Sequence, residues 1–382
     1  MNHAPKAILA DRIFDGRRWH MRAAVLIADG RVRGVAPSAE VPEDWEQRKL
    51  PAGAILAPGF VDLQVNGGGG VLLNDLPTIA GMGAIARAHR RFGTTAMLPT
   101  LITDTREKIA AAIEAANAAA GQDGVLGLHI EGPFISPARK GAHRADLIAT
   151  ADATDLELFS ALRKPSLVTL APECVPPGFV KSLAGKGIRV SAGHSEATAA
   201  QIARAIDEGL TGVTHLFNAM PPLRGREPGI VGAALADERL VAGLIADGLH
   251  IDPLAVRAAY AAKGAKGIAL VTDAMPSVGS DIRHFDLMGQ QITLTDGRLT
   301  TPDGTLAGAH LDMASAVRNA VRLARIPIED ALQSASLTPA RFLGIESERG
   351  CLVAGAHADL VVLNAGLEVL ATWIAGEEEF YD

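Results

Sequence analysis

The sequence predicts an α/β protein, a (β/α)8 TIM barrel with a small β-sandwich domain built from both chain ends. Three observations carry this expectation. Eight short apolar runs recur through the middle of the chain, helical patterns separate them, and the strand-like segments outside this alternation lie at the two termini. A length of 382 residues suits one barrel with a small appended unit.

Taken in order, residues 6–36 alternate short apolar runs at 7–9, 23–27 and 32–35 with turns. Asp29-Gly30 lies between two of these runs and reads as a tight hairpin turn. The barrel strands are expected at 55–65, 94–99, 125–131, 167–171, 188–194, 212–217, 241–247 and 267–273. Ala-rich helical patterns at 79–92, 106–120, 197–208 and 253–263 fall between them. Strands alternating with helices favour a closed parallel barrel, and an open doubly wound sheet is the alternative. Residues 284–306 interrupt the alternation as a hairpin-like insert marked by Asp296-Gly297 and Asp303-Gly304. Near the C-terminus, 350–353 and 359–363 are strand-like on either side of Gly355, and 367–374 can add another strand. These readings place a small β domain at 1–54 and 346–382 and the barrel at 55–345.

Composition narrows the function. Hydrophobic residues make up 48% of the chain but aromatic residues only 4%, so small aliphatic side chains must do most of the packing. The net charge is −7 and no long basic stretch occurs, so there is no electrostatic case for nucleic acid or an anionic membrane. No apolar run is long enough to span a bilayer. The first ten residues lack the basic and apolar regions of a signal peptide. Cys174 and Cys351 stand far apart, which fits a reducing, cytoplasmic setting without a disulfide framework.

In a parallel barrel the active site forms at the C-terminal ends of the strands. Polar residues end these runs repeatedly: His129-Ile130-Glu131 on the third strand, His194 on the fifth, His215 on the sixth, Asp247 on the seventh and Asp273 on the eighth. Any one histidine alone reads as a satisfied core residue; the set at one mouth reads as a site. Two imidazoles and one carboxylate match the donor set of a catalytic metal with one position left open. Glu131, His194 and His215 are therefore the expected ligands, and His129 is expected to hold a ligand or pack behind it. Asp273 is the natural general base. His143 and His250 lie on loops at the same face and suit substrate contact, and Asn218 can hydrogen-bond a sugar or phosphate oxygen.

Other features carry less. The run Asn66-Gly67-Gly68-Gly69-Gly70 lacks dinucleotide-binding spacing and has no Walker lysine, so it is expected as a flexible loop beside the mouth. Ser191 and Ser195 flank His194 without a nucleophile elbow. Cys174 reads as a bystander. His3, His20, His89, His284, His310 and His357 read as structural or surface residues.

With these residues in place, nearly the whole chain resembles the N-acetylglucosamine-6-phosphate deacetylase family of the amidohydrolase superfamily. The matching segments are Pro58-Gly59-Phe60-Val61-Asp62-Leu63-Gln64-Val65-Asn66-Gly67, Gly127-Leu128-His129-Ile130-Glu131-Gly132-Pro133-Phe134 and Lys140-Gly141-Ala142-His143. Further matches are Ala192-Gly193-His194-Ser195, Thr214-His215-Leu216-Phe217-Asn218-Ala219-Met220 and Gly225-Arg226-Glu227-Pro228-Gly229. Asp247-Gly248-Leu249-His250 and Thr272-Asp273-Ala274 complete the set. The resemblance implies one divalent metal per subunit on Glu131, His194 and His215, with zinc the first expectation and ferrous iron or another divalent ion the alternative. It implies Asp273 as base and then acid, and substrate contacts from His143, Asn218 and His250 with the main chain of Ala142 and Ala219. It also implies a homodimer in which Arg226 reaches the phosphate in the neighbouring subunit's site, supplying the local positive charge that an acidic chain needs for a phosphorylated substrate.

Two departures qualify the resemblance. Where many amidohydrolases carry His-x-His on the first strand, this chain has Gln64-Val65-Asn66, which argues against a full binuclear site and leaves Gln64 as a strand-one site contact. In Leu306-Ala307-Gly308-Ala309 the family usually shows Ser where Ala309 stands, a change expected to tune the substrate pocket. The implied activity is hydrolysis of the acetamide of N-acetylglucosamine 6-phosphate in amino-sugar metabolism. The alternatives are a related amidohydrolase acting on N-acetylgalactosamine 6-phosphate or a cyclic amide, and a non-catalytic sugar-phosphate binding protein.

Overall fold

The computed structural model describes residues 5–381; His3 lies outside them. Its centre is an all-parallel sheet of Phe60–Val65, Thr94–Ile102, His129–Glu131, Leu167–Leu170, Arg189–Ala192, Gly212–Val213, Val241–Leu244 and Ile268–Leu270, in that spatial order. The first and last strands meet. Val65 bridges Ala274 in parallel, the Asp273 N–H donates to the Gln64 carbonyl at 2.9 Å, and the Asn66 N–H donates to the Ala274 carbonyl at 2.9 Å. The sheet is thus a barrel, and the open alternative is excluded.

The helices begin where polar side chains can satisfy their first N–H groups. Thr78 caps Ile79–Arg90, Thr105 caps Arg106–Ala119 and Asp252 caps Pro253–Lys263. Thr198 and Gln201 form a reciprocal capping box on Ala199–Asp207. Their apolar faces pack on the strands in one large core, to which buried alanines contribute heavily. The few aromatics cluster: Phe134 stacks at 5.8 Å from Phe159 and 5.5 Å from Phe179. No described helix is long and apolar enough to cross a membrane.

The chain ends form a second sheet from Lys6–Phe14, Trp19–Ala28, Arg31–Pro37, Glu46–Lys49, Ile55–Pro58, Leu360–Leu363, Val369–Ile374 and Glu377–Phe380. It branches at its oldest partner in sequence: Lys6–Phe14 pairs with Glu46–Lys49 along one half and with Ile55–Pro58 along the other. Residues 55–58, expected in the first barrel strand, belong here instead, antiparallel to Leu360–Leu363. The break falls at Gly59, where a Cβ would come within 2.0 Å of Thr95 Oγ1. Only a glycine lets the chain pass from one sheet to the other at that spacing. The strand expected at 350–353 is also absent. Gly350 takes a left-handed conformation and Leu352 is buried, so this stretch packs into the core rather than pairing.

The insert forms an antiparallel sheet of His284–Leu287, Gln290–Thr295 and Arg298–Thr300. Its Asp296-Gly297 turn has both residues at positive φ, the geometry that matches strand twist in a two-residue hairpin. The terminal sheet has its own apolar core, including Ile8, Ile13, Leu56, Leu360 and Trp373. Trp373 is 2% exposed. Truncating it removes the largest side chain of that core, so Trp373→Ala is expected to cost about 3–5 kcal/mol in urea-induced unfolding. A cost under about 1 kcal/mol would mean that the terminal sheet is not a cooperative part of the fold.

Candidate active site

The C-terminal ends of the barrel strands open into a cavity of about 390 Å³. Three buried ligand-type side chains converge there. Glu131 Oε1 lies 3.1 Å from His194 Nε2 and 3.0 Å from His215 Nε2, and the two Nε2 atoms are 3.0 Å apart. His194 Nδ1 lies 2.7 Å from the Arg139 carbonyl, which can only accept, so the neutral ring keeps its lone pair on Nε2. His215 Nδ1 is buried without a partner among the described residues. Two imidazole nitrogens pointed at one another and at a carboxylate oxygen form a poor hydrogen-bonded cluster but a good donor set. Three such atoms at nearly equal spacing could hold one metal ion.

The backbone is bent to make this possible. His194, His215 and Asp273 all lie at positive φ, at 48°, 32° and 51°. Each follows the end of its strand by two or three residues and lines the mouth. That conformation costs a non-glycine residue on the order of 1–2 kcal/mol, so the surrounding fold must hold it. It also shortens the strands read from the sequence: the run at 212–217 is a strand only over Gly212–Val213.

Asp273 sits beside the cluster. Its Oδ1 accepts from Gln64 Nε2 at 3.1 Å and from Asn66 Nδ2 at 2.6 Å. Gln64 Nε2 also donates to Glu131 Oε2 at 3.0 Å, so one amide joins the two carboxylates. Burial pushes the Asp273 carboxyl up to about 6; the Glu131 charge adds to this, and His215, His250 and Asn66 oppose it. Burial also works against Glu131, yet the two imidazoles beside it, His194 and His215, outweigh it and hold that carboxyl well below its ordinary value. His215 shows the converse: burial would lower it, but Glu131 raises it.

Arranged in this way, a catalytic-type donor set and a buried carboxylate stand at the mouth of a parallel barrel. The chain belongs to the amidohydrolase family. The family model matches residues 55–378. The chain is 42% identical to an N-acetylgalactosamine-6-phosphate deacetylase of Shewanella sp. (strain ANA-3), over 93% of this chain and 91% of that one. It is 42% identical to an N-acetylglucosamine-6-phosphate deacetylase of Bos taurus, over 87% of this chain and 85% of that one. Among solved structures it is similar to an aspartate-to-alanine mutant of the N-acetyl-D-glucosamine-6-phosphate deacetylase from Mycobacterium smegmatis, in complex with N-acetyl-D-glucosamine-6-phosphate. The TM-score is 0.90 at 32% identity, covering 98% of this chain and 99% of that one.

Within this amidohydrolase the other expected residues divide clearly. Ala142, His143, Asn218, Ala219 and His250 all line the cavity. Burial pushes His143 down to about 3, so its ring is neutral, and Nδ1 pairs with Thr103 Oγ1 at 2.7 Å. Asn218 Nδ2 donates to the His215 and Leu216 carbonyls at 3.3 and 3.4 Å. Arg226 lies on an exposed loop and does not line the cavity of its own chain. His129 makes its hydrogen bonds away from the cluster, to Thr100 Oγ1 at 3.2 Å and Thr169 Oγ1 at 2.8 Å.

Two expectations need correction. The glycine run after Asn66 is not a free loop: Gly67, Gly69 and Gly70 donate to the carbonyls of Ala274, Val278 and Pro276 at 2.9, 2.7 and 2.9 Å. Ala309 is buried and absent from the cavity wall; its N–H donates to the Asp273 carbonyl at 2.9 Å. A hydroxyl there would meet backbone and core rather than the pocket, so Gly308 and Leu306 are the members of that segment that shape it. Sequence reasoning missed Asn66, although it follows Gln64 by two residues, directly after the same strand, and so shares its face. It also missed Arg139 and the insert residues Leu287 and Thr305, which close one side of the cavity.

The donor set must shed protons to take up a cation, so affinity is expected to fall as pH drops. Metal analysis should find about one divalent ion per wild-type chain and far less in His215→Ala. Equal metal content in the two would place the ion elsewhere.

Proposed function

We propose that this enzyme hydrolyses the acetamide of N-acetylglucosamine 6-phosphate to glucosamine 6-phosphate and acetate. The observation that carries the reading is Asp273, a buried carboxylate tied through Gln64 to the Glu131, His194 and His215 donor set. In this reading those three residues hold one divalent metal, zinc or ferrous iron. When bound, the ion supplies Lewis-acid activation of water and of the scissile carbonyl. Asp273 Oδ1 is occupied by the Gln64 and Asn66 amides, so Oδ2 takes the proton of the attacking water. The protonated Asp273 then gives that proton to the departing amine, which leaves as the C–N bond breaks. His143, Asn218 and the main chain of Ala142 and Ala219 orient the sugar, and His250 contacts the phosphate. Arg226, exposed on its loop, completes the phosphate site of a neighbouring subunit in a homodimer. Cys174 and Cys351 are both free thiols, which supports a cytoplasmic setting.

A second reading has its own support: the Shewanella relative is named for the galactosamine epimer. Parallel assays of acetate release from the two sugar phosphates decide between them. Release from neither, with metal restored, would overturn the deacetylase reading.

Asp273→Asn is expected to lower kcat by at least about a thousandfold while leaving metal content unchanged, because the amide cannot carry the proton. Near-normal turnover would remove Asp273 from its role. A base works as the anion, so kcat/KM should fall as pH drops through the Asp273 value. That value is about 6 before a cation is bound and lower beside one, so the acid limb is expected at or below about pH 6. An acid limb centred above pH 7 would assign the base to another group.

A further inference from the structure

Asp247 ends the seventh strand run, and the reaction outlined above gives it no part. Its contacts are specific. Oδ1 accepts from the backbone N–H of Leu249 and of His250, both at 2.8 Å, and Oδ2 lies 2.5 Å from His250 Nδ1. Gly248 between them is at φ 74°, a conformation that lets the chain turn back on the carboxylate. Both side chains are nearly buried, at 9% and 8% exposure. Burial would raise the Asp247 carboxyl, but the contact with His250 overrides it and keeps it below its ordinary value. A carboxylate only accepts, so Nδ1 of His250 carries a proton, and Nε2 is the ring nitrogen presented to the cavity that His250 lines.

We propose that Asp247 is a positioning residue for phosphate recognition: its carboxylate fixes the rotamer of His250, accepts from Nδ1–H and balances the charge of the imidazolium, whose Nε2–H donates to the 6-phosphate. The inference rests on the reading of His250 as a phosphate contact. The same carboxylate also pins the backbone of the turn, so the ring has neither rotational nor tautomeric freedom. Such fixing strengthens a hydrogen bond to a dianion without touching the amide being cleaved. The effect therefore falls on binding of the phosphate rather than on the chemical step.

Asp247→Asn is the decisive variant, because the amide oxygen can still accept from the two backbone N–H groups. The amide NH2 then faces Nδ1, which must give up its proton, so the ring donates from Nε2 only as the neutral imidazole and the charge assistance is lost. For N-acetylglucosamine 6-phosphate, KM is expected to rise roughly tenfold with kcat retained within about twofold. For unphosphorylated N-acetylglucosamine, kcat/KM should stay unchanged. His250→Ala should lose the same discrimination. An unchanged KM for the phosphorylated sugar in Asp247→Asn, with His250→Ala impaired, would overturn the inference and leave the phosphate contact standing. Unchanged discrimination in both variants would overturn both. A second measurement needs no turnover. In protein labelled with 15N-histidine, inorganic phosphate should shift the His250 ring resonances, and Asp247→Asn should require roughly tenfold more phosphate for the same shift. Equal titrations of the two proteins would overturn the inference even if the wild type released no acetate.

Discussion

Two buried carboxylates, Glu131 and Asp273, lie at one barrel mouth, and the site depends on keeping both there. Like charges in a dry cavity repel, and each would gain by taking up a proton. The fold answers them differently. Glu131 is surrounded by two imidazoles and is held as the anion, whereas Asp273 receives only amide donors and drifts upward to about 6. Gln64 Nε2 touches both at about 3 Å, so it couples their positions without contributing a charge. A histidine in its place would add a third ligand-type nitrogen. In the proposed reaction the amide instead keeps one carboxylate for the donor set and one for proton transfer.

Barrel closure is what makes that amide effective. Gln64 lies on the first strand, Asn66 directly after it and Asp273 just beyond the eighth, and the two segments are joined by main-chain bonds on both sides of the acid. Asp62 tightens the same seam. Its buried carboxyl accepts from Thr272 Oγ1 at 2.6 Å, one residue before Asp273. Burial pushes that carboxyl up to about 7, a cost accepted within the wall where the base is mounted. The positive φ angles of His194, His215 and Asp273 are affordable for the same reason: each residue is locked between strands that cannot relax independently.

The sequence exposed the architecture because barrel periodicity is a local signal. Runs of apolar residues and capped Ala-rich helices appear in order, and the ligand-type residues fall at their ends. What it could not expose depends on contacts between distant segments. The passage from terminal sheet to barrel at Gly59 is dictated by Thr95, thirty-six positions away, so an unbroken apolar run concealed it. The glycine run after Asn66 looked free because its anchoring carbonyls lie near residues 274–278. Ala309 looked like a pocket position from its neighbours, yet its own N–H is spent on the Asp273 carbonyl. Arg139 carries no signal at all, since its carbonyl, not its side chain, sets the tautomer of His194.

Charge supplies the last constraint on the substrate. A phosphate dianion entering this cavity meets a chain of net charge −7 and two carboxylates already at its floor. Of the basic side chains lining the cavity, Arg139 is paired with Glu196 at 3.2 Å and His143 is neutral because burial has pushed it down to about 3. In the proposed reading His250, steadied by Asp247, is the lining group left to receive the phosphate, and one imidazole is a modest counter-charge for a dianion. Complete recognition thus calls for a cation from beyond this cavity wall. Arg226 is exposed on a loop that does not line its own chain's cavity, and the proposed homodimer is the arrangement that would bring its charge to the site of a second copy.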